Sequence, residues 1–366
     1  MTTWKLSVKV LSPLHIGAGV ELRQGFDYVI FNGKTCRLNE DAVLEAKQGG
    51  LIRRRDGTYP LPGELLSSAD MENDGLFRYI LPGSPRSRRA DSRLQACIKD
   101  VHDRPYIPGS SLKGAMRTAL AWTGWKEVKP KWDSRTLGRR REWAGQGLER
   151  QIFGENPNLD LLKALHVGDC FGPQQPGGRL AVINAQVLTR RSAGSPIELE
   201  AILGDTAFHG SLTIDEHLFT PEAERRLHLA NRRHWLEELM PRIQAHSHVR
   251  IEELLAWFET QEEGQRIASF YRQLADVRLD DRRALMQLGW GTGWDGKTFG
   301  SHLQQDARQF EQIIQDYRLQ RRTPNAPSRR AGDPFPRSKR AVMRSKDGID
   351  SPIAPFGWVL LEMEQA

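Results

Sequence analysis

The sequence has few cysteines and no long apolar run. Its 366 residues include three cysteines, Cys36, Cys97 and Cys170, and none of them forms a Cys-x-x-Cys motif. This scarcity argues against a disulfide framework or a zinc ribbon and is typical of a reducing compartment. No apolar segment approaches the roughly 18–20 residues that a membrane helix needs. Because a strand pattern begins almost at the first residue, we expect no signal peptide, no membrane partner and a cytoplasmic protein.

The residue types that commonly bind metals are also not clustered in this sequence. The histidine pairs His228/His234 and His246/His248 have no cysteine or acidic set beside them that would complete a tetrahedral site. We therefore expect solvated helix and loop residues at these positions, and no cofactor.

Positive charge, in contrast, is abundant and clustered. The 53 lysines and arginines exceed the 46 acidic residues, which gives a formal net charge of +7. Arginine outnumbers lysine in most clusters, and this favours phosphate recognition over simple solvation. The sequence therefore indicates a polyanionic partner. The clusters lie at residues 53–55, 86–93, 126–141 and 321–346.

Residue periodicity predicts short strands that alternate with helices. Apolar and polar residues alternate over residues 4–10, the period-2 pattern of a half-buried strand. Asn39 and Thr220 are the expected N-caps of two helical segments. We interpret the succession as an α+β fold of two sandwiched halves, each a sheet with helices on one face. Further strands are predicted at residues 180–188, 197–203, 207–214 and 356–363, and helices at residues 39–46, 112–120, 220–278 and 303–317.

Two segments show little periodicity. Residues 49–100 are rich in Gly, Pro, Ser, Arg and Asp, so we predict a long insertion or partly mobile loop there. Residues 125–150 are predicted to form a basic, tryptophan-bearing loop.

The most informative segment is the glycine-rich stretch at residues 289–298, Gly-Trp-Gly-Thr-Gly-Trp-Asp-Gly-Lys-Thr. Glycine permits positive φ and close backbone approach, so several N–H groups can converge on an anion. The helix predicted to follow would add its N-terminal partial charge. Trp290 and Trp294 are expected either to stack on bases or to pack in the core.

Residues 291–298 also match the P-loop pattern G-x-x-x-x-G-K-[ST] letter for letter. A nucleotide-binding P-loop needs a buried strand before it and further βα units after it. Residues 280–288 have the pattern of a poor buried strand, and too few residues follow Thr298 for those units. We therefore favour nucleic-acid phosphates over a nucleotide and keep an NTPase as a remote alternative.

Three segments together resemble the RAMP superfamily, the RRM-like RNA-binding subunits of CRISPR systems. They are residues 11–19 (Leu-Ser-Pro-Leu-His-Ile-Gly-Ala-Gly), 106–117 (Tyr-Ile-Pro-Gly-Ser-Ser-Leu-Lys-Gly-Ala-Met-Arg) and the glycine-rich loop at 289–296. The closing segments 334–338 and 355–359 resemble the subunit that caps the crRNA-bound filament in type III-A (Csm) effector complexes. Residues 49–100 and 125–150 match no segment of the family.

The resemblance implies an RRM-like (ferredoxin-like) core in each half. Residues 1–195 would form an N-terminal RRM-like RAMP domain with insertions near 49–100 and 125–150. Residues 196–366 would form a C-terminal RRM-like half with a helical insertion at 220–278. The protein would cap the filament at the crRNA 3′ end and support crRNA maturation and assembly in antiviral defence. Its partners would be crRNA, the repeating backbone subunit and other effector subunits, with target RNA as a further candidate.

The RNA-binding residues implied by the resemblance lie in these same segments, with two arginines from the last basic cluster. Ser110 and Ser111 are expected either to contact phosphate or to cap the helix that begins there. The full set is Gly17, Gly19, Ser110, Ser111, Lys113, Arg117, Gly289, Gly291, Gly293, Lys297, Arg337 and Arg340.

Two residues raise the possibility of catalysis. Some RAMP proteins are metal-independent endoribonucleases that process precursor crRNA with a histidine base, and His15 is the candidate here. Backbone subunits cut target RNA with an aspartate after the first strand, and Asp27 occupies a comparable region. A packed histidine and a turn aspartate are the commoner explanations. We therefore predict a structural subunit with no reaction of its own.

Overall fold

The computed structural model describes residues 1–87, 92–133, 136–189, 194, 196–319, 329–330, 332–347 and 349–365. Five arginines of the predicted basic clusters lie outside these ranges: Arg88, Arg89, Arg135, Arg321 and Arg322. Within them, no helix is both long and apolar enough to cross a membrane.

The fold mixes strands and helices along the whole chain, as predicted for an α+β protein. The strands are β1 (Thr2–Val10), β2 (Gly17–Arg23), β3 (Tyr28–Phe31), β4 (Lys34–Leu38), β5 (Phe77–Pro82), β6 (Arg93–Cys97), β7 (Tyr106–Ile107), β8 (Leu165–Val167), β9 (Cys170–Phe171), β10 (Leu180–Thr189), β11 (Ile197–Ile202), β12 (Ala207–Ile214), β13 (Arg283–Gln287), β14 (Ser338–Lys346), β15 (Ile349–Ala354) and β16 (Trp358–Gln365). The helices are α1 (Glu40–Ala46), α2 (Gly109–Val128), α3 (Gln146–Phe153), α4 (Pro221–Leu227), α5 (Arg233–Glu237), α6 (Leu239–Glu259), α7 (Gln265–Ala275), α8 (Gly300–Leu303) and α9 (Ala307–Asp316).

The largest sheet, sheet A, has the order β13-β16-β1-β12-β9-β7, with β8 also beside β12. Its neighbouring strands are antiparallel. The alternation predicted for β1 is confirmed, because Leu6, Val8 and Val10 are buried. Helix α2 packs against β8 and α6, and α6 packs against β13. Along the chain, β1, α2, β8, β12, α6 and β16 form a β-α-β-β-α-β succession within this sheet.

The second sheet, sheet B, has the order β15-β14-β10-β11-β6-β2, and a third sheet joins β3, β4 and β5. Sheets A and B each take strands from both sides of residue 195. Hydrogen bonding therefore crosses the predicted domain boundary in both sheets, and the division into two RRM-like halves stays a prediction.

The prediction that residues 49–100 have little regular structure is wrong for their second half, which contains β5 and β6. Phe77, Tyr79 and Leu81 of β5 are buried alternately, and β6 lies inside sheet B between β11 and β2. These strands are short and flanked by Gly, Pro and charged residues, which hid their periodicity. The partner strands stabilise them through hydrogen bonds that no local pattern shows.

Three further boundaries differ from the predictions. Helix α2 continues to Val128 and α3 occupies Gln146–Phe153, so residues 125–150 are not all loop. The basic tail contains β14, which pairs with β10 and β15. The helix predicted at residues 303–317 is divided into α8 and α9.

Candidate nucleic-acid interface

The glycine-rich loop is seated directly on the segment that follows β1. The backbone N–H of Trp290 donates to the carbonyl oxygen of His15 at 2.8 Å. Gly289 has φ +79°, and a Cβ there would lie 2.6 Å from the same carbonyl oxygen. Only glycine fits this close approach without strain. Two of the three segments that resemble the RAMP family are therefore in direct contact.

Both tryptophans of the loop are packing residues. Trp294 meets the rings of Phe310 and Phe335 at centroid distances of 5.7 and 5.2 Å. Trp290 is half-buried and meets Phe356 edge-on at 5.2 Å. Gly291 allows this contact, because its φ is +94° and a Cβ would lie 2.7 Å from Cβ of Phe356. Of the two alternatives for these tryptophans, the structure supports core packing.

Two cations beside the loop have no carboxylate partner among the described residues. The guanidinium of Arg340 lies 4.9 Å from the centre of the Trp290 ring, and its Nε atom is buried without a hydrogen-bond partner. Lys297 is exposed, and neither residue has an ion pair among the described parts of the chain. Desolvation, followed by the charge of Arg340, lowers the pKa of the Lys297 ammonium below its usual value. The two positive charges are therefore close together and not neutralised by the protein.

Lys339, which precedes Arg340 in β14, is paired with a carboxylate. Lys339 bonds to the carboxylate of Asp295 at 2.9 Å, and Arg250 lies 3.6 Å from the same carboxylate. Asp295 thus neutralises these two cations and leaves Arg340 and Lys297 available to an external anion.

A small cavity of about 60 Å³ opens between the loop and β14. Its lining includes Gln287, whose Oε1 atom is buried without a hydrogen-bond partner, as well as Arg340 with its unpartnered Nε. Unsatisfied buried polar atoms are rare in native proteins and call for a ligand or water. Gly293 also lines this cavity; its φ is +78°, and a Cβ there would meet open space. We refer to Gly289, Gly291, Gly293, Lys297 and Arg340 as the glycine-loop site.

Gly17 and Gly19 lie at the exposed start of β2, which is an edge strand of sheet B. The pairing with β6 shifts from Gly17 opposite Cys97 to Glu21 opposite Gln95. The residues between them form a bulge outside the regular pairing with β6. Gly19 has φ +75° and open space where a Cβ would stand. The RNA contacts predicted for Gly17 and Gly19 would lie on this exposed edge.

The start of α2 is built differently from the expectation. Its N-cap is Pro108, and the Gly109 N–H donates to the carboxylate of Asp169 at 2.7 Å. The prediction that Ser110 or Ser111 caps the helix is therefore wrong, because both lie inside its first turn. Asp169 was missed because the chain places it after β8, far from α2 in sequence.

Lys113 and Arg117 differ in their ion pairing. Arg117 donates to Glu149 at 2.9 Å and Asp160 at 2.8 Å, and its guanidinium lies 4.1 Å from the Phe153 ring centre. It joins α2 to α3. Lys113 has no ion pair in the described residues, and desolvation lowers its pKa. Lys113 is thus better placed to bind phosphate than Arg117.

The α2 start and the glycine-loop site follow strands at opposite edges of sheet A, β7 and β13. No hydrogen bond or ring contact joins residues 108–117 to residues 289–297, all of which are described. The structure therefore brings the glycine-rich loop to the segment after β1 and not to the α2 start. Arg337 is exposed immediately before β14. The RNA-binding roles assigned to individual residues stay predictions.

The elements around residues 291–298 differ from those around a nucleotide-binding P-loop. Residues 283–287 do form a strand, and Ala284, Leu285 and Met286 are buried, so the prediction of a poor strand is wrong. That strand is antiparallel to β16, whereas nucleotide-binding P-loops follow parallel strands. The loop is followed by a single 3-10 turn, Asp295–Lys297, and the four-residue α8. No long helix begins at the loop as expected, so the groups there that could meet an anion are backbone N–H groups and cations.

His15 is 3% exposed and is held by the fold. Its Nδ1 donates to the carbonyl oxygen of Glu200 at 2.6 Å. Burial lowers its pKa, so the imidazole is neutral at pH 7. Asp27 accepts from the Arg23 N–H at 2.7 Å and lies 3.6 Å from Arg37, as a turn aspartate does. Across the described residues no group of three His, Cys, Asp or Glu side chains could hold a metal ion.

A buried ionic group under His15 escaped the sequence analysis. The carboxylate of Glu200 is 1% exposed and accepts from the Tyr79 hydroxyl at 2.9 Å, the Cys97 N–H at 2.9 Å and the Lys99 ammonium. Since the Glu200 backbone also binds His15, this group positions the segment on which the glycine-rich loop rests. Its members come from β5, β6, β11 and the second residue after β6, and no local motif connects them.

Comparisons with known proteins agree with this architecture. The CRISPR system Cms protein Csm5 of Streptococcus thermophilus is 29% identical over 157 residues, which are 36% of this chain and 40% of that protein. The matched segment thus spans less than half of the relative. A chain of the cryo-EM structure of the Csm–crRNA–target RNA ternary complex of a type III-A CRISPR-Cas system has a TM-score of 0.69. The alignment covers 98% of this chain and 100% of that one at 23% identity.

A second solved structure, the crystal structure of T. onnurineus Csm5, has a TM-score of 0.64 at 23% identity and covers 96% of this chain and 99% of that one. These likenesses establish a shared fold over almost the whole length. The sequence model of the RAMP superfamily matches residues 7–294, a range that contains the first two resembling segments and most of the third. With most of its length matched, the chain belongs to the RAMP superfamily.

Proposed function

We propose that this protein is a crRNA-binding structural subunit of a type III-A (Csm) effector ribonucleoprotein. It caps the filament at the crRNA 3′ end, contacts the repeating backbone subunit, and supports crRNA maturation and assembly in antiviral defence. The support from comparison is the partial match to a Csm5 protein and the fold shared with a subunit of a Csm–crRNA–target RNA complex.

The observation on which the proposal rests is the pair of unneutralised cations, Lys297 and Arg340, beside a loop with positive-φ glycines. A phosphodiester supplies the negative charge that this site lacks and accepts hydrogen bonds from backbone N–H groups. The bulged edge at Gly17–Gly19 begins two residues after His15, the residue to which the loop is hydrogen-bonded. A single RNA strand can therefore contact both segments through its backbone, with little dependence on base identity.

The proposal is tested by co-expression with the other effector subunits and a crRNA array, followed by purification through a tag on another subunit. We expect Lys297→Ala and Lys113→Ala each to lower crRNA retention or shorten the filament, while thermal unfolding stays unchanged. Lys34→Ala is the matched control, because Lys34 is exposed in the third sheet and has no ion pair among the described residues. Filaments of wild-type length with full crRNA content in both variants would contradict the proposal.

We propose no reaction for this subunit. His15 has no room to act as a general base from a position that is 3% exposed. Incubation of repeat RNA with the purified protein in EDTA, and separately with Mg²⁺, should leave the RNA intact. Cleavage in EDTA that His15→Ala abolishes would instead establish the endoribonuclease alternative.

A further inference from the structure

A second basic and aromatic surface lies outside the glycine-loop site. A groove of about 570 Å³ separates the C-terminal end of α2 from the junction of α8 and α9. This volume is within the range of pockets that hold molecules of nucleotide size. We call it the α2 groove. It is lined by Trp125, Lys126, Lys129, Pro130, Trp132, His302, Gln305 and Asp306.

The aromatic wall of the α2 groove is rigid. Trp125 stacks in parallel on the His302 ring, at a centroid distance of 5.3 Å and an interplanar angle of 3°, and also meets Phe299 at 5.2 Å. His302 is fixed in turn, because its Nε2 donates to the Trp122 carbonyl oxygen at 2.8 Å. Trp132 is half-buried and contacts no other aromatic ring in the part of the chain that is described. Its indole is therefore the member of the wall without an aromatic partner.

The rim of the groove is positive. Lys126 and Lys129 are exposed, and neither has an ion pair with a described residue. The one acidic lining residue, Asp306, is occupied as the N-cap of α9, since it accepts from the Gln309 N–H at 2.9 Å and from Gln309 Nε2 at 2.7 Å. Lys129 follows the helix in the left-handed conformation at φ +48°, a position where glycine is the usual residue. Two lysines against one carboxylate leave the rim with a net positive charge, which complements an anionic ligand.

We propose that the α2 groove is a second RNA-binding site, which takes an unpaired nucleotide by stacking its base on Trp132 while Lys126 and Lys129 bind the flanking phosphates. Indole surfaces interleaved with cations match single-stranded nucleic acid, because every base has a face to stack and every linkage a negative charge. An acidic peptide would match the lysines but leave the indole without a planar partner. The inference rests on the proposed RNA-binding function and adds a second contact to it.

The test is fluorescence anisotropy of the full chain with a fluorescein-labelled 12-nucleotide oligouridylate. We expect Trp132→Ala and the double variant Lys126→Ala/Lys129→Ala each to raise Kd at least about five-fold, as loss of one stacked base does. Trp132→Phe keeps an aromatic face and should stay within about two-fold of wild type. Trp143→Ala and Lys34→Ala are controls, since Trp143 is 54% exposed outside the groove lining.

Two variants of the glycine-loop site, Lys297→Ala and Arg340→Ala, are measured in parallel. A contribution of one site to RNA affinity can then be distinguished from a contribution of the other. If those variants lose affinity while the groove variants keep the wild-type Kd, the inference that the α2 groove binds RNA is overturned and the proposed function stays intact. Loss in the groove variants alone would support the groove and contradict the glycine-loop site. Groove variants that keep RNA affinity but lose an effector subunit on co-purification would also overturn the inference, because the occupant is then a protein.

Discussion

The N–H of Trp290 donates to the carbonyl oxygen of His15 across 2.8 Å and so joins the glycine-rich loop to the segment after β1. The same His15 is bonded through its ring to the backbone of Glu200, whose side chain is the centre of a buried ionic group. The residues proposed to bind RNA near the two ends of the chain are thus connected to one buried, hydrogen-bonded group. Rigid support of this kind reduces the entropy lost when RNA binds.

The close approach of Gly289 to His15 predicts an unequal effect of two similar substitutions. Gly289→Ala combines a positive φ with a Cβ that lies 2.6 Å from a carbonyl oxygen, whereas Gly293→Ala has positive φ alone and open space. We expect Gly293→Ala to cost roughly 1–2 kcal/mol of stability from its backbone conformation, and Gly289→Ala to cost more. Urea unfolding followed by tryptophan fluorescence measures both. Equal losses would show that the contact with His15 does not constrain the loop.

Arg340 lies over the Trp290 ring. Substitutions of Arg340 can therefore distinguish the effect of its charge on RNA binding from the effect of its stacking on the ring. We expect Arg340→Ala to weaken RNA binding and to reduce the slope of log K against log salt by about 0.7 for each lost phosphate contact. Arg340→Lys should keep that slope, because the charge remains, but lose affinity, because an ammonium cannot lie flat on the ring. Kd values between 50 and 300 mM salt, roughly the range where such slopes are read, give both quantities. An unchanged slope in Arg340→Ala would exclude a phosphate contact at this residue.

The buried ionic group predicts strong coupling between Glu200 and Lys99. Their side chains are 1% and 10% exposed, so Glu200→Gln leaves a largely buried ammonium without its partner. We expect a loss of about 3–5 kcal/mol for Glu200→Gln. Lys99→Met should have a similar cost, and the double variant should cost clearly less than the sum. Additive losses in urea unfolding would mean that the two charges do not stabilise one another.

The buried imidazole of His246 predicts a pH-dependent stability. Burial, followed by the charges of Arg250 and His302, lowers its pKa to about 3, and its Nε2 has no hydrogen-bond partner. Between pH 6.5 and 3 the unfolded chain binds a proton at this residue that the folded chain does not, so stability falls as pH is lowered. This single group contributes a slope of up to about 1.4 kcal/mol per pH unit.

The matched variant is His246→Leu, which has no titrating group at this position. Its unfolding free energy should fall less steeply than that of the wild type between pH 6 and 4. Parallel curves for the two proteins would show that His246 is protonated in the folded state as readily as in the unfolded one.

Much of the local structure follows from the sequence. Asn39 accepts from the Ala42 N–H and Thr220 from the Ala223 N–H, so both predicted N-caps are confirmed. The apolar face of α2 is buried at Leu112, Met116 and Leu120, as its spacing predicts. These features depend on residues within one or two turns, and the sequence displays them directly.

Strands β5, β6 and β14 could not be found in this way. Each is short or interrupted by charged residues, and it exists because a distant strand supplies its hydrogen bonds. The environment of Arg117 was hidden for the same reason, since its partners Glu149 and Asp160 lie 32 and 43 positions away. A sequence pattern shows that a cation is present but not whether the fold neutralises it.

By itself, the sequence determined the α+β class, the main helices and strands, and the three segments that resemble the RAMP family, because these depend on periodicity, capping and glycine at defined positions. Only the tertiary structure decided which cations remain available. It neutralises Arg117, Arg250 and Lys339 with carboxylates, and leaves Lys297 and Arg340 without one beside the glycine-rich loop. The physical reason is that ion pairing acts over a few ångströms in space, and the register of sheets A and B, not separation along the chain, sets those distances.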